Sequence, residues 1–197
     1  MKTEFAPLSN VRLQPGTTYR HPPELPEIVH LDDPATDVMT DFEFVKPVTV
    51  RSDVPIDEAL ELMMRAGVRL LLVTDDAGAI IGLITARDIM GERPIKLAQE
   101  ARVLRSSIRV DQIMAAQPEI TGLNMVSVRN ARVGHIVETL RRLERQHVLV
   151  LEVDALTKKQ CVRGLFSTSQ IGRQLGVDLT QEVVPAHSLA EIRQERG

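Results

Sequence analysis

Cysteine is nearly absent: Cys161 is the only one in 197 residues. One thiol excludes an internal disulfide and a cysteine-rich metal site, and it suits a reducing compartment, so a cytoplasmic location is expected. Aromatics are scarce as well. Four Phe, one Tyr and no Trp leave little from which to build a stacking platform for single-stranded nucleic acid. No apolar run approaches the ~20 residues of a membrane span, and the amino terminus lacks the apolar stretch of a secretory signal. Charge of one sign is missing too: the formal net charge is −3, which offers no strong attraction to polyanions or to an anionic membrane. Neither a nucleic-acid nor a membrane partner is expected. The five histidines, His21, His30, His135, His147 and His187, show no two-ligand metal spacing on one element and read as surface or packed imidazoles. No Gly-rich nucleotide loop and no nucleophile with a base beside it is recognisable, so neither an obligatory cofactor nor catalysis is expected. Cys161, on a strand read as buried, has no partner that would activate it.

Six of the eleven prolines fall before residue 36, which denies that segment a long helix or a central strand. Residues 1–35 therefore read as an extended or partly disordered arm with a small apolar patch at Leu25 and Ile28, open to ordering by a partner subunit. The texture then changes. "VTV" at 48–50 reads as a strand, Ser52 or Asp53 as an N-cap ahead of Pro55, and Ile56, Ala59, Leu60, Met63 and Met64 as one apolar face of a helix that Gly67 stops. Met63 and Met64 are expected in the core or on a dimer face. "RLLLVTD" and "IIGLIT" around a "DAGA" turn are strands apolar enough to be buried on both faces, and a helix follows from Thr85.

The same order then recurs. "VSV" at 126–128 answers "VTV"; Asn130 reads as the N-cap; Val133, Ile136, Val137 and Leu140 repeat the helical stripe; "HVLVLEV" and "VRGLFS" answer the two strands. The second hairpin loop, "DALTKKQ", is five residues longer than its counterpart. Even the lead-ins agree, "TDVM" at 36–39 against "VDQIM" at 110–114. The expected fold class is α/β (α+β): two tandem β-α-β-β-α repeats whose small mixed sheets pack against helices, since one helical layer cannot cover both faces of each sheet. The organisation is an arm at 1–35, a first repeat at 36–100, a linker at 101–109, a second repeat at 110–176, and a tail at 177–197 whose short helix opens on a Ser188/Glu191 capping box.

Each repeat closes on the same motif: "GLITARD" at 82–88 and "GLFSTSQ" at 164–170. Thr85 with Asp88 has the spacing of a capping box, and Ser167 with Gln170 would serve equally well as a cap. A second use separates them. A hydroxyl at a strand end, delivered onto a helix N-terminus, favours a phosphate, and a carboxylate one turn further in can take two sugar hydroxyls. Gln170 keeps the cap but loses the charge and one acceptor.

The duplicated unit and its closing motif resemble the cystathionine-β-synthase (CBS) domain, and residues 36–175 resemble a tandem CBS pair. The resemblance implies a regulatory sensor that binds an adenosine-containing ligand, such as AMP, ATP or S-adenosylmethionine, between the repeats. It assigns Asp88 to the ribose hydroxyls, Thr85 to a phosphate or sugar oxygen and Leu83 to the wall beside the base. Met125 and Val126 would supply the facing wall, and His147 would stand where a phosphate-facing Arg is often found, with affinity weakening as pH rises above its pKa. The reciprocal, weaker cleft would use Val48, Thr49, Arg69, Ser167 and Gln170. The resemblance also implies a homodimer that signals to an effector protein. The alternative is a ligand-free scaffolding dimer whose clefts are filled by side chains, with the bulk of Phe166 favouring it at the second cleft. Arg141, Arg142 and Arg145 read as a solvated helix end.

Overall fold

In the strand Leu70–Thr74, Leu71 and Val73 point one way and Leu70 and Leu72 the other, and all four are buried. A strand whose two faces are both apolar needs a cover on each side. Leu71 and Val73 meet helices of their own half, whereas Leu70 and Leu72 meet Leu149, Leu151 and Leu165 of the second half. Two sheets thus pack together along one apolar seam, each backed by helices.

The computed structural model describes residues 12, 14–17 and 24–179. In chain order the first half contributes β1 (Thr40–Asp41), β2 (Thr49–Arg51), α1 (Ile56–Ala66), β3 (Leu70–Thr74), β4 (Ile80–Thr85), α2 (Ala86–Met90) and α3 (Glu92–Ala101). The second half contributes α4 (Val110–Ile113), β5 (Ala115–Ala116), β6 (Gly122–Asn124), α5 (Met125–Arg129), α6 (Val133–Leu143), β7 (His147–Val153), β8 (Gln160–Ser167) and α7 (Thr168–Leu175). The sheets run β2-β3-β4-β5 and β1-β8-β7-β6, with one parallel pair in each, β2 with β3 and β6 with β7. The mixed α/β class and the duplication are as expected. Among the described residues no helix is long and apolar enough to cross a membrane.

The lead-ins are exchanged. β1 pairs with β8 of the second repeat, and β5 pairs with β4 of the first. Ala35, Val38 and Met39 are buried in the core of the second repeat, Ile108, Val110 and Ile113 in that of the first. Backbone bonds fix both crossings: Ile56 N–H to the Ile108 carbonyl at 2.9 Å, and Ala35 N–H to the Ala131 carbonyl at 3.0 Å. This exchange explains the glycine of the closing motif. A Cβ on Gly82 would come within 2.7 Å of the Ala115 carbonyl, and one on Gly164 within 2.4 Å of the Thr40 carbonyl, so only glycine lets the crossing strand pair there.

Several local expectations are corrected. "VSV" is not a strand: the strand is Gly122–Asn124, and Met125–Arg129 is a helical turn, because Asn124 Oδ1 accepts the Val126 N–H at 2.8 Å and Met125 and Val128 are then buried together. Tertiary burial overrides the β-propensity of the two valines. Neither Ser52 nor Asp53 caps α1, whose N-cap position is Pro55; Asp53 pairs instead with Arg51. Asn130 closes α5, while the first amide of the next helix region, Arg132 N–H, is taken by His135 Nδ1 at 2.9 Å. Gly67 ends α1 in the left-handed conformation as expected, with φ of 66°.

Met63 is buried, but Met64 is exposed. The apolar patch of the arm is misplaced: Leu25 and Ile28 are exposed and Val29 is the buried residue. From Pro26 onward the arm is held on the second repeat by Gln174, whose Nε2 donates to the Pro26 and Asp37 carbonyls at 2.6 and 3.0 Å. Cys161 is exposed, not buried, at the outer end of β8; burial of its surroundings and the carboxylates of Asp154 and Glu152 push its thiol up, so it is no more reactive for being exposed. The predicted helix after Ser188, with His21 and His187, lies outside the described residues.

Candidate functional site

Where the two sheets part, two clefts open that share Leu70 and His147, and each takes the closing motif of one repeat. In the first, β4 ends at Thr85 and hands the chain to α2 through a complete capping box. Asp88 Oδ2 accepts the Thr85 N–H at 2.8 Å and the Thr85 hydroxyl at 2.6 Å, while Asp88 N–H donates to Thr85 Oγ1 at 3.3 Å. All of these bonds fall on one carboxylate oxygen. Among the described residues, Oδ1 has no hydrogen-bond partner. The cleft encloses about 270 Å³.

Of the residues predicted for it, Leu83, Thr85, Asp88 and His147 line this cleft together. Met125 and Val126 do not. Met125 is buried in the core of the second repeat and Val126 faces outward, 64% exposed, because the chain at that point is α5 and not a strand. Their place is taken by Ile120 and Thr121, just ahead of β6.

His147 also departs from its predicted role. In the sheet register it faces Ser167 as Leu70 faces Thr85, so its counterpart is Leu70; the counterpart of Arg69 is Gln146, since the Arg69 and Gln146 carbonyls accept the Ala86 and Thr168 amides. His147 stands between the sheets and borders both clefts. Burial, with the Arg69 guanidinium beside it and only partial relief from Asp88, pushes it down to about 4, so it is a neutral imidazole near pH 7 and not a phosphate-facing cation. An unfolded chain binds a proton at His147 below pH 6.5 that the folded chain refuses until about pH 4, so this residue's contribution is present above pH 6.5 and is lost as pH falls through that window. Between pH 7 and pH 4, His147→Gln should lose less stability than the parent protein, by roughly 3 kcal/mol at most, measured by urea denaturation at each pH. Parallel losses in the two proteins would contradict the buried neutral imidazole.

The second cleft encloses about 500 Å³ and is the larger. Of the residues named for it, Val48, Arg69, Ser167 and Gln170 line this cleft, whereas Thr49 is exposed and lies outside. Phe166 does not fill it, being fully buried in the helix-backed core of the second repeat, while Leu165 takes the cleft-facing side of β8. Gln170 does not copy Asp88. Its amide N–H donates to Ser167 Oγ at 3.2 Å, but its side chain leaves the cap and reaches the exchanged lead-in, where Oε1 accepts the Thr40 hydroxyl at 2.9 Å. A carboxylate on the shorter Asp side chain would not make that reach. The amide therefore ties β1 to α7.

The residues of this cleft that were not predicted include two cations, Lys46 and Arg173. Arg173 lies four residues after Ser169 on α7, and both face the cleft, so helical periodicity was a usable signal for it. Lys46 lies two residues ahead of Val48, whose predicted place in the cleft was the available signal.

The comparisons place this architecture. Residues 35–94 match the family model of the CBS domain. A conserved CBS-domain protein of unknown function from Thermoplasma acidophilum has the same fold at a TM-score of 0.50, with 17% identity over 74% of each chain. An uncharacterized conserved protein from Pyrococcus horikoshii superposes at a TM-score of 0.51, with 23% identity, covering 73% of this chain and 92% of that one. An inosine-5′-monophosphate dehydrogenase from Thermoplasma acidophilum is 24% identical over 169 residues, which are 74% of this chain but 34% of the enzyme. The chain spans about a third or less of the length of the curated relatives it matches. Residues 35–94 thus match a CBS domain, and with its duplicated unit, exchanged lead-ins and paired clefts the chain has the fold of the CBS-domain protein from Thermoplasma acidophilum.

Proposed function

We propose that this chain is a regulatory module that binds an adenosine-type nucleotide, of the AMP, ATP or S-adenosylmethionine class, in the cleft formed by Leu83, Thr85, Asp88 and His147. The observation that carries the reading is the uncommitted Oδ1 of Asp88. One carboxylate oxygen seals the helix and the other remains an acceptor for a sugar hydroxyl, so capping and ligand binding are compatible in one side chain. His147 supplies a neutral polar wall, and the apolar seam residue Leu83 a surface for a base. Binding across two repeats gives a ligand leverage over their relative packing, and a signal arises only if it binds one arrangement better than another. A homodimer acting on an effector protein in the cytoplasm, with no catalytic step of its own, completes the proposal. A ligand-free scaffolding dimer is the second reading, favoured by the fact that the cap engages Asp88 Oδ2 without any ligand.

Thermal-shift measurements with AMP, ATP, NAD and S-adenosylmethionine test this. At one hundred times its Kd a ligand adds about 2.7 kcal/mol to stability, a Tm rise of several degrees for a chain of this size. Asp88→Ala should start from a lower Tm through loss of the cap and should show no ligand increment, whereas Gln170→Ala should keep it. No increment with any of the four compounds favours the scaffold, and an increment that survives Asp88→Ala removes Asp88 from the binding site.

A further inference from the structure

Three cations and no acid line the Gln170 cleft: Lys46, Arg69 and Arg173. Among the described residues none of the three has an ion pair or a side-chain hydrogen bond, although the same surface pairs Arg51, Arg105, Arg109, Arg129 and Arg163 with carboxylates. Like charges gathered at one mouth repel one another until an acid comes between them. Beside them Val45 lines the same cleft while 54% exposed, an apolar surface without a cover. The cleft also continues past its mouth. Arg69, Ser169 and Arg173 line in addition a shallower hollow of about 410 Å³, whose far wall is Val177, Asp178 and Leu179.

That wall is where the described chain ends. Leu179 is buried in the core of the second repeat and packs on Gly172, the residue before Arg173: a Cβ on Gly172 would lie 3.7 Å from the Leu179 Cβ. The Val177 N–H, bonded to the Gly172 carbonyl at 2.9 Å, fixes the approach. Residues 180–197, "TQEVVPAHSLAEIRQERG", lie outside the described ones, and the first charge among them is Glu182, followed by Val183 and Val184. Three residues span at most about 10 Å, so a carboxylate follows closely on a residue that shares its hollow with Arg69 and Arg173.

We propose that residues 182–184 of this same chain, an acid followed by two valines, dock at the mouth of the Gln170 cleft, with Glu182 paired to Arg69 and Arg173 and the valines laid against Val45. The inference goes beyond the nucleotide reading of the Asp88 cleft and does not rest on it. Tethering favours this occupant over an acid from another molecule, because a group joined to the rim by a few residues acts at an effective concentration in the millimolar range. The amide at position 170 fits as well: a carboxylate there would neutralise the cations from within, whereas Gln170 leaves them to Glu182 and anchors the lead-in that precedes Lys46. Arg69 and Arg173 offer planar forks that match a carboxylate. The segment is then a built-in competitor for anything else that enters this cleft.

Hydrogen exchange of the full chain, read by mass spectrometry on fragments covering residues 180–187, tests the proposal. Exchange slower than in a free peptide of the same sequence is expected, and it should not depend on protein concentration. Protection should fall as salt is raised, because all three cations stand at an exposed rim. Glu182→Lys should speed exchange in these fragments on the order of fivefold, which is what one exposed charge pair supplies, and Arg173→Glu should do the same. Combining the two substitutions restores a pair with its charges exchanged, so the double variant should exchange more slowly than either single one. A helix formed within the segment itself would not respond in that way. Exchange in the parent chain as fast as in the free peptide, no effect of Glu182→Lys, or a double variant faster than both single ones overturns the proposal. Protection that disappears on dilution overturns it too, by assigning the segment to the cleft of a second copy. Asp88→Ala, which removes the nucleotide increment on the reading above, should leave this protection unchanged, so either reading can fail without the other.

Discussion

Phe166→Ala is expected to destabilise the chain by about 3–5 kcal/mol, while Leu165→Ala, one residue earlier on the same strand, should cost distinctly less and leave a folded protein with a wider Gln170 cleft. The difference follows from strand alternation. Phe166 is wholly buried among Val148, Val150 and the helices behind the second sheet, where truncation leaves a cavity that rigid neighbours cannot fill. Leu165 faces the seam and the cleft and is only partly buried, so water can occupy part of the space its side chain vacates. Urea denaturation of both variants, with the slope checked for constancy, gives the comparison. Equal losses would mean that the cleft face is as tightly packed as the core, and would undo the claim that the second cleft is open.

Arg163→Met is the other large effect, expected at about 3 kcal/mol. Arg163 is the hub of a partly buried network: Nε and Nη2 reach the two Asp41 oxygens at 2.8 Å each, Nη1 reaches Glu152 Oε2 at 2.9 Å, and Glu43 completes the set. Arg129 in turn holds Glu152 at 2.6 Å. Burial pushes Asp41 up, but the Arg163 guanidinium and the Glu43 amide outweigh it and leave the carboxyl below its ordinary range. Removing the guanidinium strands a half-buried carboxylate, the costly way to break such a network. The damage should be local first. Asp41 lies on β1, so the exchanged lead-in loosens and the Phe42 amide, bonded to the Arg163 carbonyl at 2.8 Å, should lose hydrogen-exchange protection before β7 does. Protection lost evenly across both sheets would show that the network stabilises the fold as a whole and not this crossing.

Phe166 also shows how far reading can go on sequence alone. Once Gly164 is matched to Gly82, Phe166 falls on Ile84 and Leu165 on Leu83, and Ile84 belongs to the core; the period of two was enough to place Phe166 behind the sheet, and its bulk distracted from its parity. His147 had no such guide: setting "HVLVLEV" against "RLLLVTD" matches it to Arg69, and only the strand register of the folded chain matches it to Leu70. Other features had no such signal. Asn124 caps a helical turn in "NMVSV" only because Met125 and Val128 find a core to enter, and that core is assembled from residues as distant as Val38 and Ile171.

Local chemistry was legible wherever the partner lay within a few residues. The stripe of α1, the left-handed stop at Gly67, the Thr85–Asp88 box and the repetition of the whole unit are written in spacing, because short-range geometry follows from the backbone period. Only the folded chain decided that the lead-ins change places, that Gln170 ties one of them down, and that Lys46, Arg69 and Arg173 converge on a single mouth. Those outcomes depend on which surfaces bury each other across the seam, and a pairing between residues more than a hundred positions apart leaves no periodic trace in either segment.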